Sequence, residues 1–276
     1  MTLTEALRLA IPRLRAAAID DPVLDARLLL AHATRIPADR LTLHLNDPMD
    51  PESFARFDAA LLARAAHQPL SQITGHRLFW GRPFLVTRNV LDPRPETEIL
   101  VAAALERPFA KVLDLGTGSG CILLSCLLDY PTAHGTGVDI SEPALTVARH
   151  NASALGCDRA QFVQSDWCQS INDHFDLIVS NPPYIAADEM PGLSPEVRLW
   201  EPPHALTPGG DGLDAYRIIA RQAPARLLPG GRLMVEIGPT QARIVAGLFA
   251  EQGLARVMTL KDFDGRDRVI QAEKPQ

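Results

Sequence analysis

Val112-Leu113-Asp114-Leu115-Gly116-Thr117-Gly118-Ser119-Gly120 runs from an apolar stretch into three glycines at alternate positions. Val112 to Leu115 reads as a short buried strand, and Cys121 to Leu128 is apolar enough for a buried helix. The turn between them uses glycine for positive φ and for close approach of a ligand to the backbone. A dinucleotide could sit on such a turn, although Gly116, Gly118 and Gly120 break the G-x-G-x-x-G spacing. Working outward, the strand Gly135-Thr136-Gly137-Val138-Asp139 ends in an acid, a placement that suits a ribose diol. A third strand, Gln161 to Gln164, ends in Ser165-Asp166-Trp167, where a carboxylate can accept from an exocyclic amine and an indole can lie on a purine. A fourth, Asp176-Leu177-Ile178-Val179-Ser180, stops at Asn181-Pro182-Pro183-Tyr184. Two prolines after an apolar run mark a rigid turn at a strand end, which is where open α/β sheets bind ligands. Asn181 Oδ1 and the Pro182 carbonyl can accept the two hydrogens of a planar –NH2 group, with Tyr184 packed on its face. Alone, this turn could be an ordinary loop entry. Four such elements in order on successive strands make a shared ligand site the better reading.

With these motifs in place, the chain resembles the class I S-adenosylmethionine-dependent methyltransferases, and among them the HemK/PrmC family. The likeness extends to Pro69-Leu70-Ser71-Gln72-Ile73-Thr74-Gly75 and to Val90-Leu91-Asp92-Pro93-Arg94-Pro95-Glu96-Thr97-Glu98. It continues in Glu201-Pro202-Pro203-His204-Ala205-Leu206, Gly210-Asp211-Gly212-Leu213-Asp214 and Gly265-Arg266-Asp267-Arg268-Val269. These segments span almost the whole chain. One departure is Asp92, which stands where the family usually has an apolar residue. The resemblance implies transfer of a methyl group from S-adenosylmethionine, leaving S-adenosylhomocysteine. The acceptor would be the side-chain amide nitrogen (N5) of the glutamine in the Gly-Gly-Gln motif of class I peptide chain release factors. A glutamine methyltransferase acting on a ribosomal protein, and an adenine-N6 nucleic-acid methyltransferase, are the alternatives.

The same resemblance assigns roles. Asp139 is expected on the ribose, Trp167 on the adenine, and Gly116, Thr117, Gly118, Ser119 and Gly120 at the amino-acid end of the cofactor. Asn181 is expected to touch both cofactor and substrate and to be the central catalytic residue, with Pro182, Pro183 and Tyr184 shaping the amide slot. Arg94 and Glu96 belong near the site or pair with each other. Glu236, closing Leu233-Met234-Val235, reads as a structural group.

Composition sets the outer limits. The chain has 276 residues, 46% of them hydrophobic and 22% charged, as in globular proteins with ample core. No apolar run approaches the roughly 18 residues of a membrane span, and acids and arginines interrupt the first 25 residues where a signal peptide would be apolar. Cys121, Cys126, Cys157 and Cys168 lack paired ligand spacing, so free thiols in a reducing cytoplasm are expected and no metal. The net charge is −6. Residues 1–86 carry 10 basic and 9 acidic side chains, leaving 27 − 10 = 17 basic and 33 − 9 = 24 acidic for the rest. Neither part is basic enough for a long phosphate-tracking surface, which argues against direct nucleic-acid binding; a monomer acting on a protein substrate is expected.

The expected architecture is α/β: a doubly wound class I methyltransferase sheet, mostly parallel with an antiparallel C-terminal strand, after a small helical domain and a β-hairpin linker. Residues 1–68 form the helical bundle that recognises substrate. Its helical spacing shows in Leu7, Ile11 and Leu14, then Leu24, Leu28, Leu29 and Ala31, then Phe54, Phe57, Leu61 and Leu62. Thr2 or Thr4, Asp21-Pro22 and Asp50-Pro51 read as helix starts. Residues 69–90 alternate and carry Thr74-Gly75 and Trp80-Gly81, which reads as the hairpin. Residues 91–276 form the methyltransferase domain. The proline-dense stretch from Pro182 to Pro208 is too long for a plain connection and is expected to face the substrate.

Overall fold

The computed structural model describes residues 1–276. Residues 1–76 together with 193–200 form one compact unit, and residues 77–192 with 201–276 form the other. In the first, helices α1 (Leu3–Ala16), α2 (Pro22–Thr34) and α3 (Pro51–Ala65) begin at Thr2, Asp21 and Asp50. Each of these side chains accepts from a backbone N–H of the first turn, and Thr2 with Glu5 completes a capping box. Leu7, Leu14, Leu29, Leu30, Phe57 and Leu61 fill the core between them. Leu24, Phe54 and Leu62 are exposed, so the apolar stripe is narrower than the sequence spacing suggests. A buried ion pair, Arg64 Nε to Asp25 Oδ2 at 2.6 Å, also lies within this unit.

The sequence reading ran the hairpin over 69–90, and the structure shortens it. Pro69 starts and left-handed Gly75 stops a one-turn helix, α4 (Leu70–Thr74). The ladder is then only β1 (His76–Phe79) with β2 (Arg82–Leu85).

The second unit follows as α5 (Glu98–Leu105), β3 (Lys111–Leu115), α6 (Cys121–Asp129), β4 (His134–Asp139), α7 (Glu142–Ala154), β5 (Ala160–Gln164) and β6 (Phe175–Ser180). Next come α8 (Pro195–Trp200, part of the first unit), α9 (Pro203–Leu206), α10 (Asp214–Arg226), β7 (Leu227–Glu236), α11 (Ala242–Glu251), β8 (Ala255–Lys261) and β9 (Asp267–Glu273). The sheet order is β5-β4-β3-β6-β7-β9-β8. The first five strands are parallel, and β9 runs antiparallel to both β7 and β8. Leu113, Leu115, Leu177, Ile178 and Val179 are fully buried, as expected where helices cover both faces of a parallel sheet. From β3 the chain moves outward to β4 and β5, then returns to add β6 on the other side. That reversal opens a crevice at the carboxyl ends of β3 and β6. No helix is long and apolar enough to cross a membrane.

Candidate active site

Strand register brings the site together. Leu115 pairs with both Val138 and Ser180, so the residues after them, Gly116, Asp139 and Asn181, share one end of the sheet. The Ser180 hydroxyl donates to the Leu115 carbonyl at 2.6 Å and ties the two strand ends together. The glycine turn then folds over β4: the Gly116 and Thr117 N–H groups donate to the Val138 carbonyl at 2.9 and 2.8 Å. Gly118, at φ 55°, directs its N–H to Asp139 Oδ2 at 3.0 Å, and Asp139 Oδ1 accepts from the Ser141 N–H at 2.9 Å. Beneath the turn, the fully buried Asp114 accepts from the Thr117 hydroxyl at 2.7 Å through Oδ2, while Oδ1 has no partner. Burial pushes its carboxyl up to about 7.

These strand ends wall a cavity of about 480 Å³, within the range of ligand sites. Gly116, Thr117, Gly118, Ser119, Asp139, Asp166, Trp167, Asn181 and Pro183 line it. Gly120, Pro182 and Tyr184 do not. Gly120 instead caps α6 in the left-handed region, Pro182 is buried, and Tyr184 packs on the core. Trp167 holds a left-handed backbone (φ 53°), with its carbonyl taking the Ser165 hydroxyl at 2.8 Å. Such a backbone is uncommon for a bulky residue, and here it places the indole on the cavity wall. Two carboxylates, an indole and open glycine backbone suit a molecule with a diol, a purine and a zwitterionic end, so the residues present fit S-adenosylmethionine.

The Asn181 turn is held from outside itself. Asn181 Nδ2 donates to Thr97 Oγ1 at 3.2 Å, which leaves Oδ1 open. The Tyr184 carbonyl accepts from Gln241 Nε2 at 2.9 Å, and Gln241 Oε1 accepts from the Gly238 N–H at 3.0 Å. Burial raises the Tyr184 hydroxyl to about 12. The Ile185 N–H bonds the Leu206 carbonyl and the Ala187 N–H the Gly210 carbonyl, both at 3.0 Å. Gly212, at φ 78°, comes so close that a Cβ there would collide with the Tyr184 carbonyl.

Arg94 does not pair with Glu96, which is exposed; it binds the buried Glu201 at 2.6 Å. Sequence adjacency hid a partner 107 residues away. Asp92 is buried and flanked by Arg77 at 3.7 Å and Arg94 at 4.0 Å, which explains how an acid is tolerated there. Thr97, Gln241 and Glu201 are supporting residues that the sequence reading did not assign. Thr97 and Glu201 lie inside quoted motifs, whereas Gln241 carries no sequence signal.

A family model described as PrmC N-terminal domain matches residues 5–75, and one described as Methyltransferase small domain matches residues 88–213. A release factor glutamine methyltransferase of Cereibacter sphaeroides is 62% identical over 276 residues, covering 100% of this chain and 99% of the relative. A second, from Rhodospirillum rubrum, is 45% identical over 266 residues, covering 95% and 82%. Among solved structures, a methyltransferase from Pyrococcus furiosus has the same fold, with TM-score 0.56 at 18% identity over 79% of this chain and 98% of that one. So does the T. thermophilus 16S rRNA N2 G1207 methyltransferase solved with AdoMet and guanosine, with TM-score 0.53 at 23% identity over 72% and 49%.

Proposed function

The chain belongs to the release factor glutamine methyltransferases, and from that premise we infer that it methylates N5 of the glutamine in the Gly-Gly-Gln motif of class I release factors. Bound in the cavity, S-adenosylmethionine supplies a sulfonium-activated methyl group. The backbone of Gly116 to Ser119 holds its amino-acid end, Asp139 its ribose and Trp167 its adenine. Gly120 contributes by shaping the turn and Asn181 by closing the cavity beside the substrate.

An amide nitrogen is a poor nucleophile because its lone pair is delocalised into the carbonyl. What the chain must do is therefore mainly alignment, which can contribute on the order of 7–11 kcal/mol. Asn181 Oδ1 and the Pro182 carbonyl accept the two amide hydrogens, fix the nitrogen's direction and favour the positive charge it develops. Pro183 walls the slot on the cavity side, and Tyr184, packed on the core, backs the turn from behind. The methylated nitrogen is acidic and loses its proton readily, so no strong base is required.

The observation that carries this reading is the open Oδ1 of Asn181, with Nδ2 already committed to Thr97, at the wall of the cavity. The helical residues 1–68 select the release factor, the hairpin region 69–90 links, and residues 91–276 catalyse. The enzyme acts as a monomer in the cytoplasm without direct nucleic-acid contact; the charge of −6, spread without a basic half, supports the last of these three. Incubation with labelled S-adenosylmethionine and a purified release factor should place the label on the Gly-Gly-Gln glutamine. Replacing that glutamine by alanine should abolish labelling. Equal labelling of the replaced protein, or labelling of duplex DNA, contradicts the reading.

A further inference from the structure

The proline-dense stretch after the Asn181 turn does not stay in the catalytic unit. The chain leaves that unit after Gly192, gives residues 193–200, with α8, to the helical unit, and returns at Glu201. Within the helical unit α8 has three attachments. Glu196 pairs with Arg64, a buried guanidinium that also binds Asp25 and, through Nη1, the Gln68 carbonyl at 3.1 Å. The Trp200 indole N–H donates to the Ala66 carbonyl at 3.1 Å. Gln72 Nε2 donates to the Trp200 carbonyl, also at 3.1 Å. Gln72 belongs to the Pro69–Gly75 string, which has no part in the cofactor cavity or the amide slot. As packing it is a poor choice, because its Oε1 is buried with no hydrogen-bond partner, a destabilising arrangement. The side-chain bond it does make is the one to the last carbonyl of α8.

One residue further the chain is back in the catalytic unit. Glu201, 4% exposed, binds Arg94 on the cavity wall at 2.6 Å. Helix α9 follows, and the carbonyl of its last residue, Leu206, accepts from the Ile185 N–H at 3.0 Å. Ile185 directly follows Tyr184, so this bond fixes where the Asn181 turn ends. Without α8 held, that bond would close a loop of about twenty residues, and the freedom lost in closing a loop grows with its length. Fixing α8 divides the loop into two short spans that have less freedom to lose.

We propose that Gln72, Glu196 and Trp200 are positioning residues for the amide slot. They hold α8, α8 sets the path of residues 201–206, and that path supports the Asn181 turn from its downstream side. Pro182 and Pro183 lack N–H groups, so the turn has little of its own with which to keep its shape. The helical unit that selects the release factor then also sets the alignment of the glutamine it delivers. The inference rests on the reading in which Asn181 Oδ1 and the Pro182 carbonyl receive the substrate amide.

The test uses the full chain as wild type, Gln72→Leu, Trp200→Phe, Glu196→Ala and Glu196→Gln. It measures kcat and KM on a release factor, cofactor affinity by calorimetry, melting temperature, and the side-chain amide resonances of Asn181, assigned by their loss in Asn181→Ala. Gln72→Leu removes the donor to Trp200 together with the unpartnered acceptor. Its melting temperature should therefore hold or rise while kcat falls about three- to tenfold, the scale of one hydrogen bond. Trp200→Phe keeps an aromatic ring without the indole N–H and should lower kcat by a similar factor. Glu196→Ala should lower it further, and Glu196→Gln, which keeps an acceptor for Arg64, should recover most of the loss. In the three damaged variants the Asn181 resonances should shift and cofactor affinity should stay within a few fold of wild type. Unchanged kcat and unchanged resonances in Gln72→Leu and Trp200→Phe overturn the proposal. So does a change confined to KM for the release factor, or a fall in kcat matched by an equal fall in cofactor affinity. If wild type itself transfers no methyl to a release factor, the functional reading fails, while the resonances still decide whether α8 positions the turn.

Discussion

Gly116 to Gly120 and Asn181 to Tyr184 both follow a strand of the same sheet, one strand apart, but they are held in different ways. The glycine turn closes on itself and its neighbour: the Gly120 N–H bonds the Thr117 carbonyl at 2.8 Å, Thr117 bonds Asp114, and two N–H groups bond Val138. The Asn181 turn depends on Thr97, 84 residues away, and on Gln241, 57 residues away. Proline is the reason. Pro182 and Pro183 have no N–H, so the turn cannot knit its own hydrogen bonds and must be clamped by outside side chains. Dependence on remote residues lets substrate alignment vary separately from cofactor binding.

That separation can be tested by substitution. The largest effect is expected at the cofactor end, in Asp139→Ala. Two charge-assisted hydrogen bonds of about 1.5–3 kcal/mol each would be lost, so affinity should fall by roughly a hundredfold or more. The same carboxylate also fixes the Gly118 and Ser141 N–H groups, which adds to the loss. Unchanged affinity in calorimetry would remove Asp139 from the ribose. A smaller loss, about 1–3 kcal/mol of cofactor binding, is expected for Trp167→Ala if the indole stacks on the adenine. Lower thermal stability with unaltered affinity per folded molecule would make Trp167 a core residue only. Smallest is Gln241→Ala, which removes the clamp on the Tyr184 carbonyl. Transfer should slow by about three- to tenfold, the value of one hydrogen bond, while cofactor affinity stays constant. A matching fall in cofactor affinity would mean that the two regions are not separable.

The difference between the regions also explains what was legible in the sequence. Strands β3 to β6 and the glycine turn are written in local pattern: apolar runs, alternate glycines, and an acid at the end of β4. Helix starts at Thr2, Asp21 and Asp50 were equally local and stand where capping chemistry puts them. Leu24, Phe54 and Leu62 misled because periodicity reports the apolar face of a helix and not how wide a neighbour covers it. Helix α4 was missed because five residues are too few for a period, and only Pro69 and Gly75 mark it. The partners of the Asn181 turn were beyond reach for another reason. Thr97, Gln241 and Glu201 meet the site through tertiary packing, and nothing in their own sequence neighbourhoods states which atom they face.

The most direct test of the account is Asn181→Ala, with cofactor affinity and single-turnover methyl transfer to a release factor measured on one preparation. The account predicts affinity within a few fold of wild type and transfer reduced about 10²–10³-fold, by analogy with removing one oxyanion-hole donor. Transfer within a few fold of wild type, or a loss of rate explained by an equal loss of cofactor binding, would contradict it.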